Sequence, residues 1–187
     1  MQSISPWKLK QAARAIRAGA IVAYPTEAVF GLGCDPDDLA AVWRLLTLKQ
    51  RSVEKGLILI AASFEQLSPY LAPMEKDIEK KVLASWPGPV TWLLPARDDV
   101  SPLLKGKHKT IAVRVTAHPV ARALCQVLGH PLVSTSANIA DARPARDALT
   151  VRRIFGDTID YLVPGRVGDL KRPTEIRDAR SDSVVRA

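Results

Sequence analysis

The chain contains two short polar segments whose residue types and spacing are suited to binding a phosphate group. Thr26 offers a hydroxyl within residues 24–33, and two glycines later in that segment allow the backbone to approach a ligand closely. Lys49 and Arg51 follow a predicted helix, and an ammonium next to a planar guanidinium can clamp one anion once the helix has ended. Each segment also has an ordinary structural explanation, either a turn bonded to local backbone or cations that complement a helix C-terminus.

Two further segments add hydrogen-bonding side chains. Residues 134–138 read Ser-Thr-Ser-Ala-Asn after a short apolar run, and hydroxyls with backbone amides packed this closely can cradle an anion without a charge of their own. Residues 173–178 are also dense in hydrogen-bonding groups. These polar residues stand where predicted strands or helices give way to loops, which is where open α/β sheets bind ligands. Taken singly, each segment is also compatible with a simple polar turn.

Several well-known kinds of site are excluded because their motifs are missing. The sequence has no G-x-x-x-x-G-K-[ST], G-x-G-x-x-G, H-E-x-x-H or G-x-S-x-G, which excludes the standard phosphate loops, the zinc-binding helix and the serine nucleophile elbow. Cys34 and Cys125 form no C-x-x-C pair and are predicted to be buried thiols. His108, His118 and His130 show no triad pattern, and surface, loop or capping roles are predicted for them.

Alternating helices and strands must position these segments. Helical periodicity and short apolar runs bounded by glycine or proline define the elements. We predict helices over residues 5–19, 35–51, 64–71, 75–85, 116–129 and 148–155, and strands over 21–24, 57–61, 90–94, 111–115, 132–134, 161–163 and 184–185. Residues 25–33 and 96–110 are predicted loops. The pattern predicts one α/β domain over residues 1–187, a twisted mixed β-sheet with helices on both faces.

The spacing of apolar residues also predicts the buried face of three helices. The expected inward residues are Leu9, Ala12, Ala13 and Ile16 in the first helix, Leu39, Val42, Trp43 and Leu46 in the second, and Val120, Ala123, Leu124 and Val127 in the fifth. Asp35 and Thr116 are the expected starting residues of the second and fifth helices, because short polar side chains favour that position.

Length and composition indicate a folded domain. The chain has 187 residues, and a typical domain takes about 100 to 200. A hydrophobic content of 47% with 25% charged residues can build a core, which excludes disorder for most of the chain. No apolar run approaches the about 18 residues of a membrane helix, and the N-terminus does not read as a signal peptide. A cytoplasmic protein without a membrane partner is therefore expected.

The chain is basic, since 27 Lys and Arg residues against 19 Asp and Glu residues give a net charge of +8. The excess is concentrated in residues 1–19 and 97–122, and it suggests a partner rich in phosphate. Two classes of function fit: an enzyme that acts on a phosphate compound, or a non-catalytic module that grips an RNA backbone by its shape. A basic surface that only keeps the protein soluble is the third explanation.

Seven segments, in sequence order, together resemble the YrdC-like domain of the threonylcarbamoyl-AMP synthase family in its short single-domain bacterial form. They cover residues 23–33, 48–51, 55–58, 86–91, 112–119, 134–138 and 173–178. The resemblance implies an L-threonylcarbamoyladenylate synthase, a nucleotidyltransferase that forms threonylcarbamoyl-AMP and pyrophosphate from L-threonine, bicarbonate and ATP with Mg²⁺. It also implies that downstream tRNA threonylcarbamoyl transferase proteins use the product to make threonylcarbamoyladenosine in tRNA. A non-catalytic double-stranded RNA or tRNA-binding module is the alternative.

The resemblance also implies residue roles. Lys49 and Arg51 would be catalytic, and Thr26 and Thr174 would face threonine. The residues implied to bind ATP are Lys49, Arg51, Arg114, Ser136, Asn138 and Arg186. No metal ligand in the chain is implied, because Mg²⁺ would be held largely by the triphosphate. Two departures from the family pattern occur: the S-G-x-P stretch of many relatives is missing from residues 139–144, and a histidine of longer members is missing from residues 60–61.

Overall fold

The computed structural model describes residues 4–139 and 142–186, and within them nine strands form one mixed sheet. The strands are β1 Val22–Pro25, β2 Phe30–Gly33, β3 Ile58–Ala61, β4 Val90–Pro95, β5 Thr110–Val115, β6 Leu132–Ser136, β7 Tyr161–Leu162, β8 Glu175–Asp178 and β9 Val184–Arg186. Their order across the sheet is β7-β1-β2-β6-β3-β5-β4-β8-β9. The pairs β1/β7, β3/β5 and β4/β8 are parallel and the other neighbours are antiparallel. The predicted α/β architecture with a mixed sheet is confirmed.

Seven α-helices accompany the strands in the described residues. They are α1 Pro6–Arg17, α2 Leu39–Leu48, α3 Phe64–Leu67, α4 Lys76–Ala84, α5 Pro102–Lys105, α6 Pro119–Leu128 and α7 Ala148–Phe155. Short 3₁₀ turns occur at Val53–Lys55, Ser68–Tyr70 and Gly156–Thr158. Within the described residues, the helices are all too short or too polar to cross a membrane.

Helix α1 forms as its sequence predicts. Pro6 occupies the first turn, where its missing N–H would have had no helical partner. Gly19 follows the helix in a left-handed conformation, with φ 82°, which ends it as expected. All four predicted inward residues are buried: Leu9, Ala12, Ala13 and Ile16.

Helix α2 begins later than predicted and buries a different face. Asp38 rather than Asp35 is its N-cap, and the Asp38 carboxylate accepts a hydrogen bond from the Ala41 N–H at 3.0 Å. Leu39 and Trp43 are 45% and 57% exposed, so the prediction that they face the core is wrong. The buried residues are Ala41, Val42, Leu45 and Leu46. Because nearly every position of this helix is apolar, spacing alone could not select the buried face.

Helix α6 shows a similar difference. His118 is its N-cap residue, whereas the hydroxyl of Thr116 donates a hydrogen bond to Glu27 at 2.6 Å and does not cap the helix. The predicted inward residue Val127 is 36% exposed. The buried residues are Val120, Ala121, Leu124, Cys125 and Leu128. The sequence identified the helix correctly, but tertiary contacts decided how it is rotated.

Regular structure also occurs where loops are predicted. β2 lies in the predicted loop 25–33 and forms a hairpin with β1, and the short helix α5 lies in the predicted loop 96–110. Gly33 is required by packing in β2, because a Cβ there would lie 2.1 Å from the carbonyl oxygen of Val133. The glycines hide β2 from propensity-based prediction, since the residues that usually mark a strand are β-branched or aromatic. β8 was also missed because it is short, polar and only half-buried.

Helices cover the two faces of the sheet unequally. On one face, α2, α3, α4 and α7 contribute to the larger apolar core. On the other face, α1 and α6 pack over Ile60 and Leu132. Farther along that face, Ile58, Ala112 and Leu93 lie in register in β3, β5 and β4 and are only half-buried. The second face is therefore partly open, and the candidate site lies on this open part.

Candidate active site

A cavity on the open part of the sheet brings together six of the eight predicted site residues. These are Thr26, Arg51, Arg114, Ser136, Thr174 and Arg186. Its walls come from the turn between β1 and β2, the start of β2, the end of β6, strands β3 and β5, the segment just before β8, and β9. Within the described residues, hydroxyls and guanidinium groups line the cavity and no carboxylate does. Such a lining suits an anionic ligand.

Lys49 and Asn138 do not line the cavity but lie directly behind its wall. The Lys49 ammonium donates hydrogen bonds to the backbone carbonyl oxygens of Ser136 and Asn138, each at 2.5 Å. The Asn138 side chain accepts a hydrogen bond from the Ser136 hydroxyl at 2.6 Å and donates to the carbonyl of Ala142. Lys49 therefore ties the end of α2 to the end of β6. The next residues, 140 and 141, lie outside the described residues.

Lys49 and Arg51 are separated by a change in backbone direction. Gln50 adopts a left-handed conformation, with φ 51°, immediately after α2. Arg51 donates from Nε and Nη2 to the carbonyl oxygen of Gly56, at 3.2 and 2.9 Å, which holds its guanidinium at the cavity wall. Burial, together with the charge of Arg51, lowers the pKa of Lys49 to about 8, and burial also lowers the pKa of Arg51. The two cations are thus already partly desolvated before any ligand binds.

Arg114 is held by a buried network of polar side chains. Its Nη1 donates to the hydroxyls of Thr174 at 2.6 Å and Thr91 at 3.1 Å, and its Nη2 donates to Glu27 at 3.2 Å. Glu27 also accepts hydrogen bonds from the hydroxyl of Thr116 and the backbone N–H of residue 117. Burial raises the pKa of the Glu27 carboxyl, but the charge of Arg114 and the hydrogen bond from Thr116 outweigh it, so the pKa is lower than usual.

The two threonines predicted to face the amino-acid substrate both line the cavity and come from different parts of the chain, Thr26 after β1 and Thr174 before β8. Thr26 is buried, and its hydroxyl donates to the carbonyl oxygen of Val29 at 2.7 Å. This contact is the local turn bond that was the alternative explanation for Thr26, and the residue lines the cavity as well. Thr174 precedes β8, and its hydroxyl is fixed by Arg114.

Arg186 completes a group of three arginines around the cavity. It lies on β9, and its Nη2 donates to the carbonyl oxygen of Thr174 at 3.1 Å. The residue as a whole is exposed, but its guanidinium faces the cavity. Partial burial of that group and the charges of Arg114 and Arg51 lower its pKa. Three guanidinium groups held this close together are best satisfied by a bound anion.

Two buried residues differ from what their segments suggested. Glu27 lies in the segment for which a local turn was the alternative explanation, yet it is buried and pairs with Arg114. An acidic residue between a buried strand and an apolar run is the signal that could have revealed it. The prediction of a surface or capping role for His118 is right in part: it is the N-cap residue of α6, but it is buried, and its Nε2 contacts the carbonyl oxygen of Arg166 at 3.1 Å. Burial lowers the pKa of His118.

The two cysteines are buried and lie outside the cavity lining. Cys34 and Cys125 are free and buried, as predicted, and burial raises the pKa of each thiol to about 12. Both thiols are therefore protonated near neutral pH and unreactive. In the part of the chain that the structure describes, no group of three His, Cys, Asp or Glu side chains is arranged to hold a metal ion.

Comparison with known proteins identifies the family to which this chain belongs. A family model for Sua5, YciO and YrdC proteins, described as "Telomere recombination", matches residues 14–187. The chain belongs to the Sua5/YciO/YrdC family. Threonylcarbamoyl-AMP synthase of Nitrosococcus oceani is 56% identical over 180 residues, which is 96% of this chain and 97% of that protein. Threonylcarbamoyl-AMP synthase of Halorhodospira halophila is 56% identical over 181 residues, covering 97% and 95%.

Solved structures of the family share the fold. Sua5 of P. abyssi in complex with L-threonine matches with a TM-score of 0.89 and 34% identity over 95% of this chain. This chain spans about half of that protein, 52% of its length. YciO of E. coli matches with a TM-score of 0.84 and 28% identity, covering 95% of this chain and 87% of that one. The YrdC-like fold expected from the sequence is therefore confirmed.

Proposed function

We propose that this protein is an L-threonylcarbamoyladenylate synthase, which converts L-threonine, bicarbonate and ATP to threonylcarbamoyl-AMP and pyrophosphate. The observation that carries the proposal is the cavity in which Arg51, Arg114 and Arg186 converge beside threonine and serine hydroxyls. The name shared by its curated relatives over nearly the whole chain supports the same reaction. L-threonine bound to a Sua5 protein of the same fold supports the amino-acid substrate.

The reaction needs no covalent intermediate with the enzyme. The threonine amine attacks bicarbonate, water leaves, and a carbamate forms. A carbamate oxygen then attacks the α-phosphorus of ATP, and the bond to the β-phosphate oxygen breaks to release pyrophosphate. Catalysis by this chain is then a matter of positioning two substrates and neutralising the charge that develops on phosphorus and on the leaving group.

The cavity residues can divide these tasks. We expect Arg51 and Arg186 to bind the phosphates, because neither forms an ion pair with a carboxylate in the described residues. Ser136 also lines the cavity and offers a hydroxyl. Thr26 and Thr174 would contact threonine. Lys49 would act mainly by holding the end of β6 in place, since its ammonium already donates to two carbonyl groups there.

Mg²⁺ would be carried by the nucleotide. The cavity has hydroxyl and guanidinium groups but no carboxylate among its described lining residues. Mg²⁺ in nucleotide sites commonly keeps several waters and binds chiefly through substrate phosphates. When bound with ATP, the ion would offset negative charge on the triphosphate, and the arginines of this chain would hold the remaining phosphate oxygens.

RNA contact is a second, compatible property. The cations Lys8, Lys10, Arg14 and Arg17 on α1 are all exposed. Exposed cations on one helix are suited to binding a phosphate backbone without sequence specificity. We therefore keep tRNA contact, and transfer of the product to tRNA by a partner protein, as parts of the proposal. Neither requires the residues of the cavity.

The test is pyrophosphate release by the purified protein with ATP, Mg²⁺, L-threonine and bicarbonate, with each component omitted in turn. We expect release that depends on both threonine and bicarbonate, together with a new adenylate of the expected mass. Asp160→Asn is a matched control variant, because Asp160 pairs with Arg44 near the far edge of the sheet and lies outside the cavity. Release that proceeds equally well without threonine, or no release at all, would contradict the proposed function.

A further inference from the structure

Glu27 is a buried carboxylate that lies behind the cavity wall. It follows Thr26 in the turn between β1 and β2, and it is only 7% exposed. One oxygen, Oε2, accepts a hydrogen bond from Nη2 of Arg114 at 3.2 Å. The other, Oε1, accepts from the Thr116 hydroxyl at 2.6 Å and from the backbone N–H of Ala117 at 3.2 Å. Glu27 is therefore fixed by its own partners and can fix Arg114 in turn.

Arg114 depends on these contacts for its orientation. Its Nε is buried and has no hydrogen-bond partner among the described residues. Glu27 holds one terminal nitrogen, and the hydroxyls of Thr91 and Thr174 hold the other. An arginine side chain has many rotamers, and without Glu27 only two neutral hydroxyls would select among them. The position of the Thr174 hydroxyl depends on the same guanidinium.

Glu27 also sets the distribution of charge in the cavity. Arg51, Arg114 and Arg186 all line it, and like charges this close repel one another. Glu27 compensates the charge of Arg114 at the buried end of the cavity. Within the described residues, Arg51 and Arg186 form no ion pair. The cavity is therefore nearly neutral at Arg114, where Glu27 balances the charge, and cationic at Arg51 and Arg186.

We propose that Glu27 is a positioning residue for the reaction, which acts by holding Arg114 against the cavity wall beside Thr174. This inference rests on the proposed function, because it concerns the same cavity. The alternative is a purely structural role, in which Glu27 only balances the buried charge of Arg114. In that case Glu27→Gln would lower turnover only as far as it lowers the stability of the fold.

The first test is Glu27→Gln, which keeps the shape of the side chain and removes its charge. We expect turnover measured by threonine-dependent pyrophosphate release to fall at least about tenfold, as for loss of a charge-assisted hydrogen bond. Affinity for inorganic pyrophosphate should be unchanged or higher, because the cavity gains an uncompensated positive charge. Asp160→Asn should change neither quantity. Turnover within about threefold of wild type, or pyrophosphate affinity that falls together with turnover, would overturn the proposal.

The second test asks whether Glu27 acts through Arg114. If it does, the double variant Glu27→Gln, Arg114→Met should lose no more turnover than Arg114→Met alone, because the group that Glu27 positions is already gone. Losses that multiply would show that Glu27 acts independently and would overturn the proposal.

Two further measurements keep the inference testable. If Glu27→Gln does not fold, Thr116→Val can be used in its place, because it removes one hydrogen-bond donor to the Glu27 carboxylate and leaves the ion pair with Arg114. A several-fold loss of turnover in this variant supports the proposal. Turnover equal to that of the wild type contradicts it. If the wild type itself forms no adenylate, the proposed function has failed and the role of Glu27 in it fails as well. If the wild type is active and Glu27→Gln retains turnover within about threefold of it, only the proposal about Glu27 has failed.

Discussion

Two groups of positive charge in this protein have opposite surroundings. The site cations are Lys49, Arg51, Arg114 and Arg186, and the helix cations are Lys8, Lys10, Arg14 and Arg17. Three of the site cations are at least partly buried as whole residues, and the guanidinium of the fourth, Arg186, is partly buried. All four donate hydrogen bonds to backbone carbonyls or side chains. The helix cations are exposed, and only Arg17 has a fixed partner among the described residues, at the C-terminal carbonyls of α6.

The difference teaches that the number of cations does not locate a site, whereas their environment does. A desolvated cation that is already held in one geometry gains more binding free energy from an anion than an exposed cation does. Water screens its charge less, and its side chain has little conformational entropy left to lose on binding. An exposed cation on a helix contributes mainly long-range attraction, which salt weakens. The following predictions test this contrast, in order of decreasing effect.

The largest expected effect is on stability. Among the described residues, Glu27 is the one acid that forms an ion pair with a site cation. Glu27→Gln leaves Arg114 buried without its counter-charge, and we expect a loss of about 3 to 5 kcal/mol in the free energy of unfolding at pH 7. In the folded protein, the pKa of Glu27 is below its ordinary value. The ion pair therefore stabilises the fold fully at pH values above the pKa that Glu27 has in the unfolded chain. This stabilisation is lost as the pH falls through the pKa that Glu27 has in the folded protein. Urea unfolding should therefore show a smaller difference between the variant and the wild type below about pH 4. A difference that is the same at acid and neutral pH would contradict the ion pair as its source.

Next come the cations at the end of α2. Arg51→Ala should raise the activation free energy by about 2 to 4 kcal/mol, as for the loss of one preorganised donor. Lys49→Ala should also raise it, because the end of β6 that carries Ser136 loses the ammonium that holds it. Lys49→Ala should also lower the free energy of unfolding by about 1 to 3 kcal/mol, because two carbonyl oxygens of the β6 end lose their donor. Pyrophosphate release and urea unfolding of both variants give these quantities. Turnover within about threefold of wild type would show that the residue only completes the helix end.

Smaller effects are expected at the two threonines. Thr26→Val and Thr174→Val keep the side-chain shape and remove one hydroxyl, and each should weaken threonine binding by about 1 to 3 kcal/mol. ATP affinity should change little, since Arg51 and Arg186 are untouched. Calorimetric titration with each substrate separately measures both affinities. The assignment is wrong for either residue whose variant loses ATP affinity and keeps threonine affinity.

The smallest effect on catalysis is expected at the helix cations. Replacing Lys8, Lys10 and Arg14 by Gln, and keeping Arg17 because it contacts α6, should leave threonine-dependent pyrophosphate release unchanged. If these cations contact RNA, the log–log salt slope of duplex RNA binding should decrease by up to about 3, at roughly 0.9 per contact for a duplex. An unchanged slope would mean that they only keep the protein soluble. If the variant folds but loses catalytic activity, the helix cations contribute to the reaction and do not differ from the site cations in this respect.

Much of the fold was predictable because its signals are local. Apolar spacing predicted α1 closely, the helix predicted over residues 148–155 matches α7, and short apolar runs predicted β3 and β5. The rotation of α2 and the existence of β2 were not predictable in the same way. The exposure of Trp43 depends on which of several apolar faces meets the sheet. β2 pairs with β6, and Gly33 leaves the space that the carbonyl oxygen of Val133 occupies. Both depend on neighbours that are distant in sequence.

For the candidate site, the sequence by itself determined which segments carry anion-binding chemistry, because hydroxyls, guanidinium groups and family motifs are visible in the residue types. Only the tertiary structure decided how they are used. It placed Lys49 behind the cavity wall, and it made Glu27 the buried counter-charge of Arg114, a residue 87 positions away. The physical reason is that burial and hydrogen-bond geometry arise only when strands that are distant in the chain become neighbours. These two quantities decide whether a charged side chain is free to bind a ligand or is already paired within the protein.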